Sequence, residues 1–300
     1  MTRKEFLYLS GVTTTSIPVV NSLQSIQKIT DSYKITERMP VLFLGHGSPM
    51  NGIEDNEFVR EFKSQVAKLE KPNAIIVVSA HWETKGTKVT AMDNPRTIHD
   101  FGGFPKALYE VQYPAPGSPA PGSPALAGEI SNIVQPTGTV ELDHNWGLDH
   151  GAWTVVKHLF PNADVPVIQL SLDVSLSPMQ HYELAKQLKS LRDKGILIIG
   201  SGNIVHNLGM IAWNKLNQNY GYDWAIEANS KMKKWILDGD HKSLIEYKKQ
   251  GKAFELAVPT PEHYLPLLYT MGLKQQGDNP IIFNNKSLGG SLTMTSVKLG

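Results

Sequence analysis

The chain is predicted to be an α/β protein, a three-layer α/β/α sandwich around a central, mostly parallel but mixed sheet. Three observations point there. Short apolar runs recur as Val41-Leu-Phe-Leu44, Ala74-Ile-Ile-Val-Val78, Val165-Pro-Val-Ile-Gln-Leu-Ser171 and Ile196-Leu-Ile-Ile199, as expected of strands buried on both faces. Segments of helical spacing alternate with these runs. Three of the runs lead to a histidine (His46, His81 and His206), and in open α/β sheets chemistry gathers outside the carboxyl ends of the strands.

The elements follow in order. Residues 1–38 read as an N-terminal extension, and residues 39–300 as the catalytic domain. Met1-Thr-Arg-Lys-Glu-Phe-Leu resembles a twin-arginine export signal with Lys4 in place of the second arginine. The Thr-rich apolar stretch after it is too short and polar to span a bilayer, and no clear cleavage site follows. A cytoplasmic location is expected, with export to the periplasm as the alternative. After the strand leading to His46, Phe58, Val59, Phe62, Val66 and Leu69 give Asn56–Glu70 a helical period, ended by Lys71-Pro72. The second strand follows at once, and strand-helix-strand in this order argues for parallel pairing through a right-handed crossover. Thr87–Met92 reads as another strand.

Pro114-Ala-Pro-Gly-Ser118 is then repeated directly as Pro119-Ala-Pro-Gly-Ser123. Each proline fixes φ and lacks a donor, so this stretch reads as a loop. The Val165 strand, a helix over Pro178–Arg192 and the Ile196 strand come next. Helices over Trp224–Asp238 and Ser243–Lys249 follow, and two short strand-like segments close the chain. No boundary demands a second domain.

Composition narrows the function. The 300 residues are 41% hydrophobic and 19% charged, with a formal net charge of +1, which leaves no electrostatic footprint for a nucleic acid. There is no cysteine, so disulfides, thiolate metal sites and cysteine nucleophiles are excluded, and a metal would be held by nitrogen and oxygen. The chain has no His-Glu-x-x-His helix, no Gly-x-x-x-x-Gly-Lys loop and no Gly-x-Ser-x-Gly elbow, which weakens metalloprotease, nucleotidase and serine-esterase readings.

Six of the ten histidines sit in short phrases rich in Gly, Ser, Asp, Asn and Pro: Gly-His46-Gly-Ser-Pro, Ser-Ala-His81-Trp, Ile-His99-Asp-Phe-Gly-Gly-Phe-Pro, Leu-Asp-His150-Gly, Asn-Ile-Val-His206-Asn and Pro-Glu-His263-Tyr. A single such histidine is more often structural than functional. Several delivered to one sheet edge suggest a metal site. Two histidines with a third nitrogen or oxygen ligand suit non-haem Fe(II), and three with a water suit hydrolytic Zn(II). Spacing does not separate the two. His144, His158, His181 and His241 lack a special setting and read as surface or helix-face residues. Trp82 and Trp146 could line a pocket or simply pack, and Ser48 is expected to shape the turn after His46.

Read with Tyr-Pro-Ala-Pro-Gly-Ser-Pro, Trp-Gly-Leu-Asp-His150-Gly-Ala-Trp and Gly-Ser-Gly-Asn-Ile-Val-His206-Asn, these phrases resemble the class III (LigB-type) extradiol ring-cleaving dioxygenases, in their 4,5-DOPA branch, from about Met39 to the C-terminus. The resemblance implies an α/β/α fold, one divalent metal, and oxygen-dependent cleavage of a catechol to a muconic semialdehyde. By motif, His46 and His81 match the first two ligands, and His263 is expected as the third with Glu262 as the alternative. His206 matches a pocket histidine that either ligates or acts as acid/base, and His150 a second that would touch substrate or oxygen. His99 is as fit for supporting its loop as for catalysis. The doubled proline unit and the N-terminal extension depart from the family pattern.

The implied cofactor is Fe(II) for the oxygen chemistry. Zn(II) could occupy the same ligands, but it is redox-inert. The implied partners are a small aromatic catechol and O2, with no nucleic acid and no membrane span; the oligomeric state is not readable. A zinc-dependent hydrolase on the same ligands and a non-catalytic metal-binding relative are the competing readings.

Overall fold

The apolar runs form strands. The computed structural model describes residues 36–300 except 116, 119, 120, 136, 137 and 217. The strands are β1 (Val41–Gly45), β2 (Ala74–Thr84), β3 (Thr87–Thr90), β4 (Val140–Asp143), β5 (Val167–Asp173), β6 (Ile196–Gly202), β7 (Pro280–Phe283), β8 (Ser287–Leu288), β9 (Leu292–Thr293) and β10 (Ser296–Leu299). Eight of them pair in the order β4-β3-β5-β2-β6-β1-β10-β7, and β8 and β9 form a small antiparallel pair. The centre, β5-β2-β6-β1, is parallel. Antiparallel β10 and β7 extend it on one side, and on the other β3 meets β5 antiparallel while pairing β4 in parallel. The sheet is mixed with a parallel core, as expected.

Six helices of eight residues or more lie among the described residues: α1 (Glu57–Val66), α2 (Pro124–Val134), α3 (His150–Leu159), α4 (Pro178–Gln187), α5 (Asp223–Asp238) and α6 (Leu265–Gly272). Their ends carry the expected chemistry. Asn56, Ser123, Asp149 and Ser177 each accept a hydrogen bond from a first-turn amide, and Gly239 leaves α5 in the left-handed region at φ +71.

Three helices are not legible by periodicity. Pro124, read as loop, is the first residue of α2, where its missing N–H costs nothing. In α3 and α6 nearly every residue is buried, so no polar face alternates with an apolar one. The helix expected over Pro178–Arg192 is also broken, α4 ending at Gln187 before a separate turn at Ser190–Asp193.

Alternate residues of the central strands point to opposite layers. Val41, Phe43, Ile76, Val78, Ile168 and Ile198 pack with α2, α4, α5 and α6. Leu42, Leu44, Ile75, Val77, Val167 and Ile199 pack with α1 and α3. His181 corrects an expectation. It is not a surface histidine but fully buried on α4, its Nδ1 3.1 Å from the Tyr269 hydroxyl on α6. His144 is exposed, and His158 and His241 are half-buried. Residues 1–35, which carry the expected export-like segment, lie outside the described residues. No helix among the described residues is long and apolar enough to cross a membrane.

Candidate metal centre

His46 follows β1 directly, and its amide donates to Gly202 O at 3.1 Å, which fixes it to the end of neighbouring β6. His81 lies within β2, where the ladder to β5 breaks: Val78 pairs Leu170, but the next pair is Glu83 with Leu172. Five residues of β2 therefore span what two span on β5, and such bulges re-aim side chains beside active sites. His206 lies beyond β6, its amide held by Ala257 O at 2.9 Å.

His263 comes from far along the chain, and two glycines of β6 make room for it. A Cβ on Gly202 would lie 2.1 Å from His263 O, and one on Gly200 would lie 2.4 Å from Pro266 O. Without those side chains, the segment entering α6 lies directly on the end of β6, with Asn203 N bonded to His263 O at 2.9 Å. His150 is the first residue of α3. Its predecessor Asp149 caps that helix and accepts from Ser79 Oγ at 2.6 Å, Gln169 Nε2 at 2.7 Å and Ala152 N at 3.1 Å.

The donor atoms of His46, His81 and His263 all lie within 4.8 Å of one another. The Nε2 atoms of His46 and His81 are 3.2 Å apart. Metal–nitrogen bonds of about 2.0–2.1 Å at a tetrahedral angle place two nitrogens about 3.3 Å apart, so the spacing fits a shared divalent ion.

The outer nitrogens are engaged as well. His46 Nδ1 meets Ser201 Oγ at 3.0 Å, and since that hydroxyl donates to Gly151 O at 2.5 Å, it must accept from the ring. That arrangement leaves the His46 Nε2 lone pair facing the centre. His263 Nδ1 meets Glu262 Oε1 at 3.1 Å, and His81 Nδ1 lies 3.4 Å from Asp100 Oδ2. Imidazoles that ligate metals usually donate their other N–H to such an acceptor.

Burial foremost, and then the neighbouring imidazoles, push His46 and His263 well below the ordinary histidine range. Burial also takes His81 down to about 3 and His206 to about 4. All four are neutral near neutral pH, the form that binds a metal. For Asp100, burial opposes ionisation. The contacts with His150, through its ring and its amide, outweigh burial and hold the carboxyl below its usual value.

His206 stands apart from the trio. Its ring stacks on His263 with centroids 3.5 Å apart and planes 6° from parallel. The donor atoms of His206, Glu262 and His263 lie within 4.8 Å of one another, but a nitrogen lone pair lies in its ring plane, so two rings stacked face to face do not converge their lone pairs on one point. Glu262, the alternative ligand, is occupied with Thr260 Oγ1 at 2.8 Å and with the His263 ring.

His150 borders the trio, its ring centroid 3.8 Å from that of His81. His99 turns away, its Nε2 bonded to Val111 O at 3.0 Å and its ring against Trp153. Ser48 caps the turn Pro49–Gly52, as expected. Trp82 and Trp146 stack on each other at 5.6 Å. Asp100 and Ser201 are the polar residues that the sequence does not single out. Asp100 had a signal in its place beside His99 in the glycine-rich phrase, and Ser201 in the Gly-Ser-Gly that ends β6. A cleft of about 740 Å³ lies alongside, lined by Ser48, Asn51, Leu288 and Leu292 among others; none of the five site histidines lines it.

Comparison with known proteins gives one consistent picture. Residues 33–291 match the family described as the catalytic LigB subunit of aromatic ring-opening dioxygenase. The 4,5-DOPA dioxygenase extradiol of Escherichia coli (strain K12) is 44% identical over 276 residues, covering 91% of this chain and 98% of that protein. The protein of the same name from Beta vulgaris is 35% identical over 262 residues, covering 85% and 94%. A crystal structure of an uncharacterized protein from Escherichia coli K12, JW3007, superposes with a TM-score of 0.74 at 41% identity, covering 88% of this chain and all of that one.

Proposed function

The chain belongs to the family of the catalytic LigB subunit of aromatic ring-opening dioxygenases, in its 4,5-DOPA extradiol branch, and from that membership we propose that it opens the ring of a DOPA-like catechol beside its two hydroxyls. Both atoms of O2 enter the product, a muconic semialdehyde, which therefore holds every atom of the catechol and the oxygen. The observation that carries the proposal is the meeting of His46, His81 and His263 at one sheet edge, with His150 and His206 alongside. Residues 39–300 form the catalytic domain.

His46, His81 and His263 hold one divalent metal, Fe(II) in the active enzyme. When bound, Fe(II) supplies open positions for catechol and oxygen and the redox capacity that Zn(II) lacks. His206 serves as acid/base: its stacking on His263 disfavours a shared metal and keeps its ring beside the ligand set, within reach of a bound catechol. His150 contacts the substrate.

Anaerobic loading with Fe(II), followed by oxygen uptake with a panel of catechols, tests the reading. One O2 consumed per catechol, with a new visible-absorbing product, is the expected result. An iron-loaded protein that consumes no oxygen with any catechol overturns it. Ester or amide hydrolysis by the zinc form would favour a hydrolase instead.

A further inference from the structure

We propose that Asp100 is a positioning residue that fixes the orientation and tautomer of His150, so that His150 presents an unprotonated Nε2 as the acceptor for a catechol hydroxyl. The inference rests on the catechol reading above for its consequence, but not for its geometry. Asp100 Oδ2 lies 2.9 Å from His150 Nδ1, and Oδ1 lies 2.8 Å from the His150 amide. One carboxylate thus takes the ring donor and the backbone donor of the same residue. The backbone contact ties the loop to the first residue of α3, and the ring contact sets the imidazole's rotation about that anchor.

A carboxylate only accepts, so Nδ1 must carry a proton, and in the neutral ring this leaves the lone pair on Nε2. The same Oδ2 lies 3.4 Å from His81 Nδ1, which links the orientation of His150 to a proposed metal ligand across one shared acceptor.

Among the described residues, the acids beside the site histidines in sequence are engaged elsewhere. Asp149 adjoins His150 in sequence, but Ser79, Gln169 and Ala152 already use its two oxygens. Glu262 faces His263. Phe101, the next residue after Asp100, packs edge-on against the His150 ring with centroids 5.6 Å apart at 84°, so two neighbours from one loop confine that ring. The two pocket histidines are therefore not equivalent. His206 rests on a stacking contact, while the tautomer of His150 is dictated by a carboxylate.

The test reads the tautomer directly. In the zinc-loaded, 15N-labelled protein, which is diamagnetic, long-range 15N–1H spectra should show His150 protonated at Nδ1 only, with its signals assigned by their loss in His150→Gln. Asp100→Asn keeps the size of the side chain, and Asp100→Ala removes it. In both, His150 should shift to the Nε2–H form or to a mixture. In the Asp100→Asn iron form, metal content should stay stoichiometric and KM for the catechol should change little. Its kcat should fall by roughly two to four orders of magnitude, the scale seen when a carboxylate that orients a catalytic histidine is made neutral.

Retention of the Nδ1–H tautomer in both variants would overturn the proposal. So would a fall in kcat that only tracks lost metal, which would confine Asp100 to support of His81. If the wild-type iron form consumed no oxygen with any catechol, the dioxygenase reading would fail, while the spectra would still decide the role of Asp100.

Discussion

At the scale of single residues, the site separates side chains whose loss should empty it from those whose loss should slow it. His46, His81 and His263 have donor atoms within one sphere and Nδ1 atoms engaged or facing an acceptor. Each alanine substitution at these positions should abolish metal binding rather than only slow turnover. Elemental analysis of the purified variants checks this, and a full complement of metal in any of them removes that residue from the ligand set. His206, stacked on His263, should behave differently. His206→Gln should keep most of the metal and still bind catechol under nitrogen, while single-turnover rates fall by roughly two to four orders of magnitude. A loss of metal in His206→Gln would make it a ligand after all.

At the scale of elements, α4 and α6 are joined by a buried polar contact between His181 and Tyr269. Burial lowers His181 to about 4. A depressed folded value means that the unfolded chain binds the proton first as the pH falls. The stability this histidine contributes is therefore complete above about 6.5, declines as the pH drops below that, and is gone once the folded form titrates near 4. Within that window the slope is about 1.4 kcal/mol per pH unit for this one group. Urea denaturation of the metal-free protein at pH 7 and pH 5 should show the decline. The pair His181→Leu with Tyr269→Phe, which leaves no buried hydroxyl unpaired, should make it shallower by that amount, whereas an unchanged slope would acquit His181.

The doubled proline unit belongs to the same scale. Its end is structural, since Ser123 caps α2 and a Cβ on Gly122 would lie 2.2 Å from Met92 O. Removing one Pro-Ala-Pro-Gly-Ser unit leaves an identical second unit to make those contacts, and loop-length changes cost little. The shortened protein should melt close to the wild type, and a large drop would mean that both units are packed.

For the whole molecule, Arg192 draws distant parts of the chain together. It is fully buried and forms a two-pronged pair with Asp278, at 2.5 and 3.0 Å. Its remaining donors reach Met39 O at 2.8 Å, just before β1, and Leu273 O at 2.9 Å, just after α6. Breaking a buried pair leaves an uncompensated charge and typically costs about 3–5 kcal/mol. Arg192→Ala and Asp278→Ala should each lower stability on that scale by equilibrium denaturation. Because α6 begins just after His263, metal affinity should weaken along with it. A loss below about 1 kcal/mol, the size of a surface pair, would show that the ends of the domain are held by apolar packing instead.

Much of this was legible in the chain itself. The apolar runs mark β1, β2, β5 and β6 because strands buried on both faces admit almost no polar residue, and three runs lead to His46, His81 and His206 because a strand's carboxyl end is a local feature. Helix α1 was legible from its one-sided apolar face, whereas α3 and α6, buried all round, left no period to read. Tertiary structure alone decided the rest. Asp100 reaches His150 across 50 positions, and Ser201 reaches His46 across 155. The stacking of His206 on His263 depends on Gly200 and Gly202 leaving room for a segment some 60 residues away. Hydrogen bonds and ring contacts depend on tenths of an ångström and on direction, and those are set by how the layers pack rather than by neighbours along the chain.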